Sequence, residues 1–171
     1  AGKVFLRVPG KVGPYCIGVQ PEVMVKSVGT GDSFTAEDAE SIIEESRNWS
    51  VLAMGPGMGK DDRTREFLKR VLAGTTCPVV LDADALNLLA GEKEFIRSLG
   101  QGLIVTPHLA EFSRLSGLSL DDIKEDLIGT ARAFAADWKV NLVLKGAPTL
   151  IVSAKTGNVY VNPTGNAGMA C

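Results

Sequence analysis

Short apolar runs alternate with amphipathic segments along most of this chain. The runs at 51–54, 78–81 and 103–105 are continuously apolar, and the run at 141–144 is apolar after Asn141, as expected of strands that are buried on both faces of a parallel sheet. Between the runs, apolar residues recur at three- and four-residue spacing, which predicts helices. We therefore predict an α/β fold of three layers, αβα, in which helices cover both faces of a mostly parallel sheet.

Two extended runs precede this alternation. Residues 2–9 and 21–28 read as strands joined by a short Gly- and Pro-containing link. Thr35 and Asp38 have the spacing of a capping box, and the apolar positions that follow predict a helix that ends near Asn48. The first strand starts almost at residue 1, so we expect the domain's opening elements to precede the chain.

The second half of the chain predicts one long helix and then a hairpin. The helix starts at Ser119 and carries an apolar stripe at Ile123, Leu127, Ala131, Phe134 and Ala135. The hairpin joins residues 150–153 to 159–161. Each buried run before it ends in a polar loop, namely Gly55–Gly59, Asp82–Asn87, Thr106–Glu111 or Lys145–Thr149. Because the carboxyl ends of parallel strands share one edge, we expect these loops to line a single cleft.

Composition narrows the class of protein. A chain of 171 residues with 45% apolar residues and a mean hydropathy of +0.13 fits one compact domain, which we place at residues 1–171. Lys and Arg number 18 against 20 Asp and Glu, so the chain lacks the basic surface that nucleic acid or an anionic membrane selects. We expect a small-molecule partner, no nucleic acid and no membrane.

The termini and cysteines point to the cytoplasm. No apolar stretch approaches the roughly 20 residues of a bilayer span, and the first residues lack the pattern of a signal peptide. Cys16, Cys77 and Cys171 are far apart and have no CxxC spacing, so we expect reduced thiols and no metal site built from protein side chains.

Two segments could bind phosphate. The glycines of residues 164–169 would let consecutive backbone N–H groups approach an oxyanion, although such a loop can equally be a simple turn. Lys145 and Gly146 follow a buried strand, where an ammonium could meet a nucleotide phosphate or merely extend into solvent at the sheet edge.

Polar residues at two other strand ends could contact a ligand. Asp82 and Asp84 could orient hydroxyl groups or a hydrated Mg²⁺ ion, or could simply cap a turn. His108 is the sole histidine, and it has no second imidazole for a metal and no evident Ser or Cys partner for a triad. We therefore expect His108 to bind a ligand rather than to catalyse.

Five motifs occur in sequence order: Gly55–Gly59 (GPGMG), Leu81–Asn87 (LDADALN), Thr106–Phe112 (TPHLAEF), Leu144–Thr149 (LKGAPT) and Asn162–Ala170 (NPTGNAGMA). Together they resemble the family of ADP-dependent NAD(P)H-hydrate dehydratases. The resemblance spans nearly the whole chain. It implies a ribokinase-like fold and an activity in which hydrated NADH or NADPH is dehydrated while ADP is converted to AMP and phosphate.

The resemblance also implies site residues and ligands. Residues facing the hydrated dinucleotide would be Gly55, Gly57, Gly59, Asp84, Asn87, His108, Glu111, Phe112 and Arg114. Residues around the nucleotide phosphates would be Lys145, Gly146, Ala147, Pro148, Thr149, Asn166, Ala167, Gly168, Met169 and Ala170. Mg²⁺ is the expected counterion of the phosphates. The eukaryotic branch of the family usually has Asn at the position of His108 and prefers ATP, so His108 favours ADP as the nucleotide. Family members are often homo-oligomers, and we expect the same of this protein.

The family pattern continues beyond the Gly-Met-Ala segment to an Asp that acts as the catalytic base, and no residue of this chain takes that place. We therefore expect an interior segment of a ribokinase-like domain, incomplete at both ends and inactive by itself. Two other functions stay open: a ribokinase-like kinase for a vitamin precursor or sugar, and a non-catalytic nucleotide-binding module.

Overall fold

A computed structural model describes residues 2–100 and 102–164. The chain forms two compact units. The first unit comprises residues 1–48 and 58–75, and the second comprises residues 49–57 and 76–171. The prediction of one domain over the whole chain stays a prediction, and each unit is described by itself.

The first unit combines a two-stranded sheet with a helical pair. Its elements are β1 (Val4–Pro9), α1 (Gly13–Cys16), β2 (Val23–Val28), a 3₁₀ turn (Ala36–Asp38), α2 (Ala39–Ser46) and α3 (Asp62–Gly74). The strands pair in parallel, with Val4 opposite Val23 and Pro9 opposite Val28. Both predicted strands are confirmed, and the four-residue helix α1 in the link between them was not predicted.

Local capping explains where the helices of the first unit begin. The predicted capping box is confirmed, because the Thr35 backbone N–H donates to Asp38 Oδ2 at 2.8 Å. Asp61 caps α3 by accepting the Thr64 backbone N–H at 2.9 Å. The rings of Phe34 and Phe67 stack with centroids 4.5 Å apart and are almost fully buried. This stack joins the segment before the 3₁₀ turn to α3.

The second unit is built on a six-stranded sheet. Its elements are β3 (Leu52–Met54), β4 (Val79–Leu81), α4 (Asp84–Leu88), α5 (Lys93–Ser98), β5 (Leu103–Val105), α6 (Leu109–Ser116), α7 (Leu120–Glu125), α8 (Leu127–Trp138), β6 (Asn141–Leu144), β7 (Thr149–Val152) and β8 (Val159–Asn162). The strands lie in the order β3-β4-β5-β6-β7-β8. The first four are parallel, and the predicted hairpin of β7 and β8 is antiparallel. The predicted mostly parallel sheet flanked by helices is confirmed.

The core of the second unit lies between this sheet and its helices. Leu81, Val105 and Leu142 of the central strands are at most 1% exposed, which accounts for their continuous apolar pattern. On the helical side, the Phe134 ring of α8 lies 4.9 Å from Phe112 and 4.8 Å from Trp138, centroid to centroid. The buried residues of these short strands fix where each following loop leaves the sheet.

The single long helix predicted after Ser119 is wrong in one respect, because the structure has two helices. Asp126 interrupts them with φ −139° and ψ 76°, and its Oδ1 accepts the Gly129 backbone N–H at 2.9 Å. Ser119 caps α7 in the same way through the Asp122 backbone N–H. The apolar stripe continues across both helices, but a side-chain cap at Asp126 replaces the helical hydrogen bonds there.

Among the described residues, none of the helices is both long enough and apolar enough to cross a bilayer.

Candidate functional site

Three consecutive strands of the second unit place polar side chains at one edge of the sheet. Asp82 follows β4, His108 lies three residues beyond β5, and Lys145 follows β6. The β5–β6 register, in which Val105 faces Leu142, continues into a bridge between His108 and Lys145. The Lys145 backbone N–H donates to Pro107 at 2.8 Å. The loops at these strand ends therefore meet, as the shared-edge argument predicts.

Gly55 lets the loop after β3 approach the loop after β4. Its φ is 137°, and a Cβ at this position would lie 1.7 Å from the Asp82 carbonyl oxygen. The Asp82 backbone N–H in turn donates to the Met54 carbonyl at 3.1 Å. Only glycine satisfies both the conformation and the space, so Gly55 has a backbone role at this edge.

Lys145 crosses the sheet edge to reach Asp82. Its Nζ donates to Asp82 Oδ1 at 2.6 Å, although the two residues are 63 positions apart in sequence. Because β5 lies between their strands, this ion pair joins the loops that follow two non-adjacent strands. Glu111 Oε2 lies 4.0 Å from the same ammonium. Lys145 therefore sits between two carboxylates.

His108 caps helix α6. Its Nδ1 accepts the backbone N–H groups of Ala110 and Glu111 at 3.1 and 3.3 Å, and Glu111 Oε2 accepts the His108 backbone N–H at 2.9 Å. This is a capping box with histidine in the position usually held by Ser or Thr. Because Nδ1 accepts hydrogen bonds, the neutral ring carries its proton on Nε2. The His108 side chain is half-exposed, and its Nε2 lies 3.5 Å from Glu111 Oε1.

Glu111 is the one carboxylate of the edge that is deeply buried, with 7% of the residue exposed. One side-chain oxygen accepts the His108 backbone N–H, and the other lies 3.5 Å from His108 Nε2. The structure therefore gives Glu111 a role in orienting His108.

Asn87 and Arg114 form a second polar pair. Arg114 Nε donates to Asn87 Oδ1 at 3.0 Å, and Asn87 Nδ2 donates to the Ala83 carbonyl at 3.0 Å. The pair links α4, which begins at Asp84, to α6. The structure thus brings together two residues that the resemblance assigned to the substrate.

The loop between β6 and β7 is open to solvent. Lys145, Gly146, Ala147 and Pro148 are exposed, and the Ala147–Pro148 peptide bond is cis. Thr149 Oγ1 donates to the Gly146 carbonyl at 3.0 Å, which closes the loop on itself. Its backbone is accessible to an anion.

The remaining predicted site residues differ in their surroundings. Phe112 is fully buried, with its ring packed on Phe134, so the structure places its side chain in the core rather than at the edge. Gly57 is exposed, with φ 71° and open space around the position of a Cβ. Gly59 belongs to the first unit, ahead of α3. The predicted nucleotide residues Asn166, Ala167, Gly168, Met169 and Ala170 lie outside the described residues.

The sequence interpretation missed two features of the edge. It considered Asp82 as a ligand-orienting group but not as the partner of Lys145, because the strand order that brings them together is not encoded locally. It also missed the unusual backbone conformation of Ala83, with φ 51° and ψ −120°. Residue propensities do not predict an L-residue in that region of φ and ψ.

Comparisons with known proteins agree with these motifs. The sequence profile described as NAD(P)H-hydrate dehydratase matches residues 9–171. A bifunctional NAD(P)H-hydrate repair enzyme of Moorella thermoacetica is 37% identical over 172 residues, which cover 99% of this chain and 32% of that protein. The chain therefore spans about a third of the length of this curated relative.

Solved structures give the same fold. A ribokinase-like superfamily protein of Enterococcus faecalis is 26% identical with a TM-score of 0.81, over 100% of this chain and 56% of its own. The ADP/ATP-dependent NAD(P)H-hydrate dehydratase of Bacillus subtilis, co-crystallised with ATP and Mg²⁺ and soaked with CoA, is 25% identical with a TM-score of 0.71, over 99% of this chain and 58% of its own. The predicted ribokinase-like fold is confirmed.

Proposed function

This chain belongs to the NAD(P)H-hydrate dehydratase family, and on that premise we propose that it serves the ADP-dependent dehydration of hydrated NADH and NADPH. The products are NADH or NADPH, AMP and phosphate. The observation that carries the proposal is the bridge between His108 and Lys145, because it sets a donor for the damaged dinucleotide beside a cation for the nucleotide phosphates.

The chemistry requires both ligands at one edge. Hydroxide is a poor leaving group, so the hydrate's hydroxyl oxygen first attacks the β-phosphorus of ADP, its proton passes to a base, and AMP departs. The carbon–oxygen bond then breaks with phosphate as the leaving group, and a proton lost from the neighbouring carbon leaves the double bond of NAD(P)H. Holding the hydroxyl and the phosphorus close together converts a two-molecule encounter into a reaction within one complex.

The nucleotide half is the loop that starts at Lys145. The exposed ammonium supplies charge to the phosphates, and Gly146 leaves the backbone open to them because it has no side chain. Ala147, Pro148 and Thr149 complete the loop on that side. The B. subtilis relative is named for both ADP and ATP, and we propose ADP as the preferred nucleotide of this protein.

The substrate half lies around the N-terminus of α6. The Nε2–H of His108 donates to an acceptor oxygen of the hydrated dinucleotide, and Glu111 orients the ring. Asn87 and Arg114 add a second polar contact, and the exposed Gly57 leaves room for a bulky ligand. The side chain of Phe112 supports α6 from the core.

Mg²⁺ accompanies the nucleotide in this proposal. Asp82 and Glu111 place two carboxylates against the single ammonium of Lys145, so a bare polyphosphate would meet a net negative edge. Among the described residues, no group of three or more His, Cys, Asp or Glu side chains could hold a metal ion. Phosphate oxygens and water would then supply most of the ligands, as is usual for Mg²⁺, and the ion would neutralise phosphate charge.

We also propose that the protein is cytoplasmic and a homo-oligomer. NAD(P)H repair belongs where the coenzyme is used, and exposed apolar side chains on β1, including Val4, Phe5 and Leu6, offer surface for a second copy. Sedimentation of the purified protein measures the second claim, and a monomer at micromolar concentration would refute it.

The activity test uses the protein as its natural gene encodes it. Purified protein is incubated with hydrated NADH, ADP and Mg²⁺, and the recovered absorbance of reduced nicotinamide is followed alongside AMP formation. We expect one AMP per NADH recovered. K145M should lower kcat/KM for ADP by about a hundredfold, since a phosphate loses a charged partner.

K155M provides the matched control, because Lys155 is exposed in the β7–β8 turn of the same unit. It should retain the activity of the unmodified protein. Consumption of nucleotide with a vitamin precursor or sugar, and none with the hydrate, would replace the proposal with a kinase function.

A further inference from the structure

Asp82 is held from both sides by backbone contacts. Its N–H donates to the Met54 carbonyl at 3.1 Å, and its carbonyl accepts the Ala85 N–H at 3.2 Å. Gly55 packs against the same carbonyl so closely that a Cβ would lie 1.7 Å from the oxygen. The position of Asp82 is therefore set by the end of β3, by Gly55 and by the first turn of α4.

The next residue adopts a conformation that L-residues rarely occupy. Ala83 has φ 51° and ψ −120°, and its N–H donates to Asp82 Oδ1 at 2.9 Å. The same oxygen accepts Lys145 Nζ at 2.6 Å. Such a backbone persists only where surrounding contacts enforce it, and it clusters at functional sites.

Stability alone does not account for this arrangement. The side chains of Lys145 and Asp82 are 42% and 33% exposed, and exposed ion pairs contribute little to folding. A strained residue at Ala83 costs more than such a pair returns. The ion pair between Asp82 and Lys145 therefore has a role other than stability, namely to hold the Lys145 ammonium in place.

We propose that Asp82 is a positioning residue that acts on the nucleotide through Lys145. An ammonium has three N–H donors. Asp82 takes one of them, which fixes a side chain that is otherwise flexible and leaves donors for phosphate oxygens. The inference rests on the proposed function in so far as a nucleotide binds at this edge, and it assigns Asp82 no contact with either substrate.

The test is a binding cycle on the protein as its natural gene encodes it. Calorimetric titration with ADP and Mg²⁺ gives the Kd of the unmodified protein, D82N, K145M and D82N/K145M. D82N keeps an oxygen for the Ala83 N–H and removes only the charge, so we expect the Kd for ADP to rise about tenfold as the ion pair with Lys145 becomes a weaker bond from an ammonium to a neutral amide oxygen. In the K145M background, D82N should change nothing further.

D137N serves as a control, and D82S serves as a replacement for D82N. D137N removes a carboxylate of the same unit that pairs with Lys93 at 2.5 Å and Arg97 at 3.4 Å, and it should leave the Kd for ADP unchanged. If D82N does not fold, D82S replaces it, because a serine hydroxyl can still accept the Ala83 N–H.

Three results would overturn the inference: an unchanged Kd in D82N, tighter ADP binding in D82N, or the same weakening in the presence and absence of Lys145. Turnover of the hydrate is measured in parallel. A protein that shows the predicted binding cycle but leaves the hydrate intact would contradict the proposed function and support the role of Asp82. A protein that does not bind ADP would contradict both.

Discussion

At the scale of single residues, His108 combines an observed structural role with the ligand role proposed for it, through two different atoms. Nδ1 accepts two backbone N–H groups at the start of α6, and in the proposed function Nε2 donates to the substrate. A residue chosen for capping alone would be Ser, Thr, Asp or Asn. The ring therefore adds reach, which places an N–H farther from the backbone than a short capping side chain could.

A pair of variants separates the two tasks of His108. H108S keeps an oxygen for the cap, whereas H108A removes both the cap and the donor. We expect H108A to be about 1 kcal/mol less stable than H108S to unfolding by urea, while both lose kcat/KM for the hydrate by about tenfold or more because a ligand hydrogen bond is gone. Equal stability of the two variants would show that the cap contributes nothing.

At the scale of elements, the boundary between α7 and α8 shows how a local bond overrides a pattern. The apolar stripe from Ile123 to Phe134 predicts one helix, yet Asp126 stops the first helix and caps the second. The Asp126 cap depends on Gly129, since a Cβ there would lie 2.0 Å from Asp126 Oδ2. The missing side chain makes room for the carboxylate that binds the Gly129 N–H.

This geometry reverses the usual effect of replacing a helical glycine. In most helices Gly→Ala stabilises by about 1 kcal/mol. Here G129A displaces the Asp126 cap, and a lost cap costs about 0.5 to 2 kcal/mol, so we expect no net gain in the free energy of unfolding. In a D126A background no cap remains to lose, and G129A should then stabilise by about 1 kcal/mol. Equal stabilisation in both backgrounds would contradict the steric argument.

The elements themselves follow from the sequence to a large extent. Continuous apolar residues predict the buried strands β4 and β5. The capping-box spacing of Thr35 and Asp38 predicts where a helical segment starts. The pairing of Asp82 with Lys145 does not follow, because it depends on strand order across 63 residues. The family resemblance assigns Phe112 to the ligand because this residue lies in a site motif. Its position on the inner face of α6 instead buries the ring in the core.

At the scale of the whole molecule, carboxylates of the first unit link its stability to pH. Glu45 of α2 binds Lys26 of β2 and Arg7 of β1. These hydrogen bonds, with that from Lys26 the larger, hold the pKa of Glu45 below its ordinary value of 4.5. The backbone N–H of Thr64 likewise lowers the pKa of Asp61, the cap of α3, from 3.8. Both groups are therefore more acidic in the folded chain than in the unfolded one.

The sign of the pH effect follows from that difference. A carboxyl whose folded pKa is lowered contributes stability above its unfolded pKa and loses it as the pH falls through the folded value. We therefore expect the free energy of unfolding to decline below about pH 4.5 for Glu45 and below about pH 3.8 for Asp61. Unfolding by urea between pH 7 and pH 3 measures this decline.

E45Q isolates the contribution of the β1–β2–α2 contact. It should reduce stability at pH 7 by at most about 1 kcal/mol, because Lys26 is largely exposed and exposed pairs are weak. The difference from the unmodified protein should shrink as the pH falls below about 4.5, because protonation leaves Glu45 neutral like glutamine. E44Q removes an exposed carboxyl of the same helix and supplies the baseline. A difference between E45Q and the unmodified protein that stays constant across this range would show that packing, rather than charge, makes the contact matter.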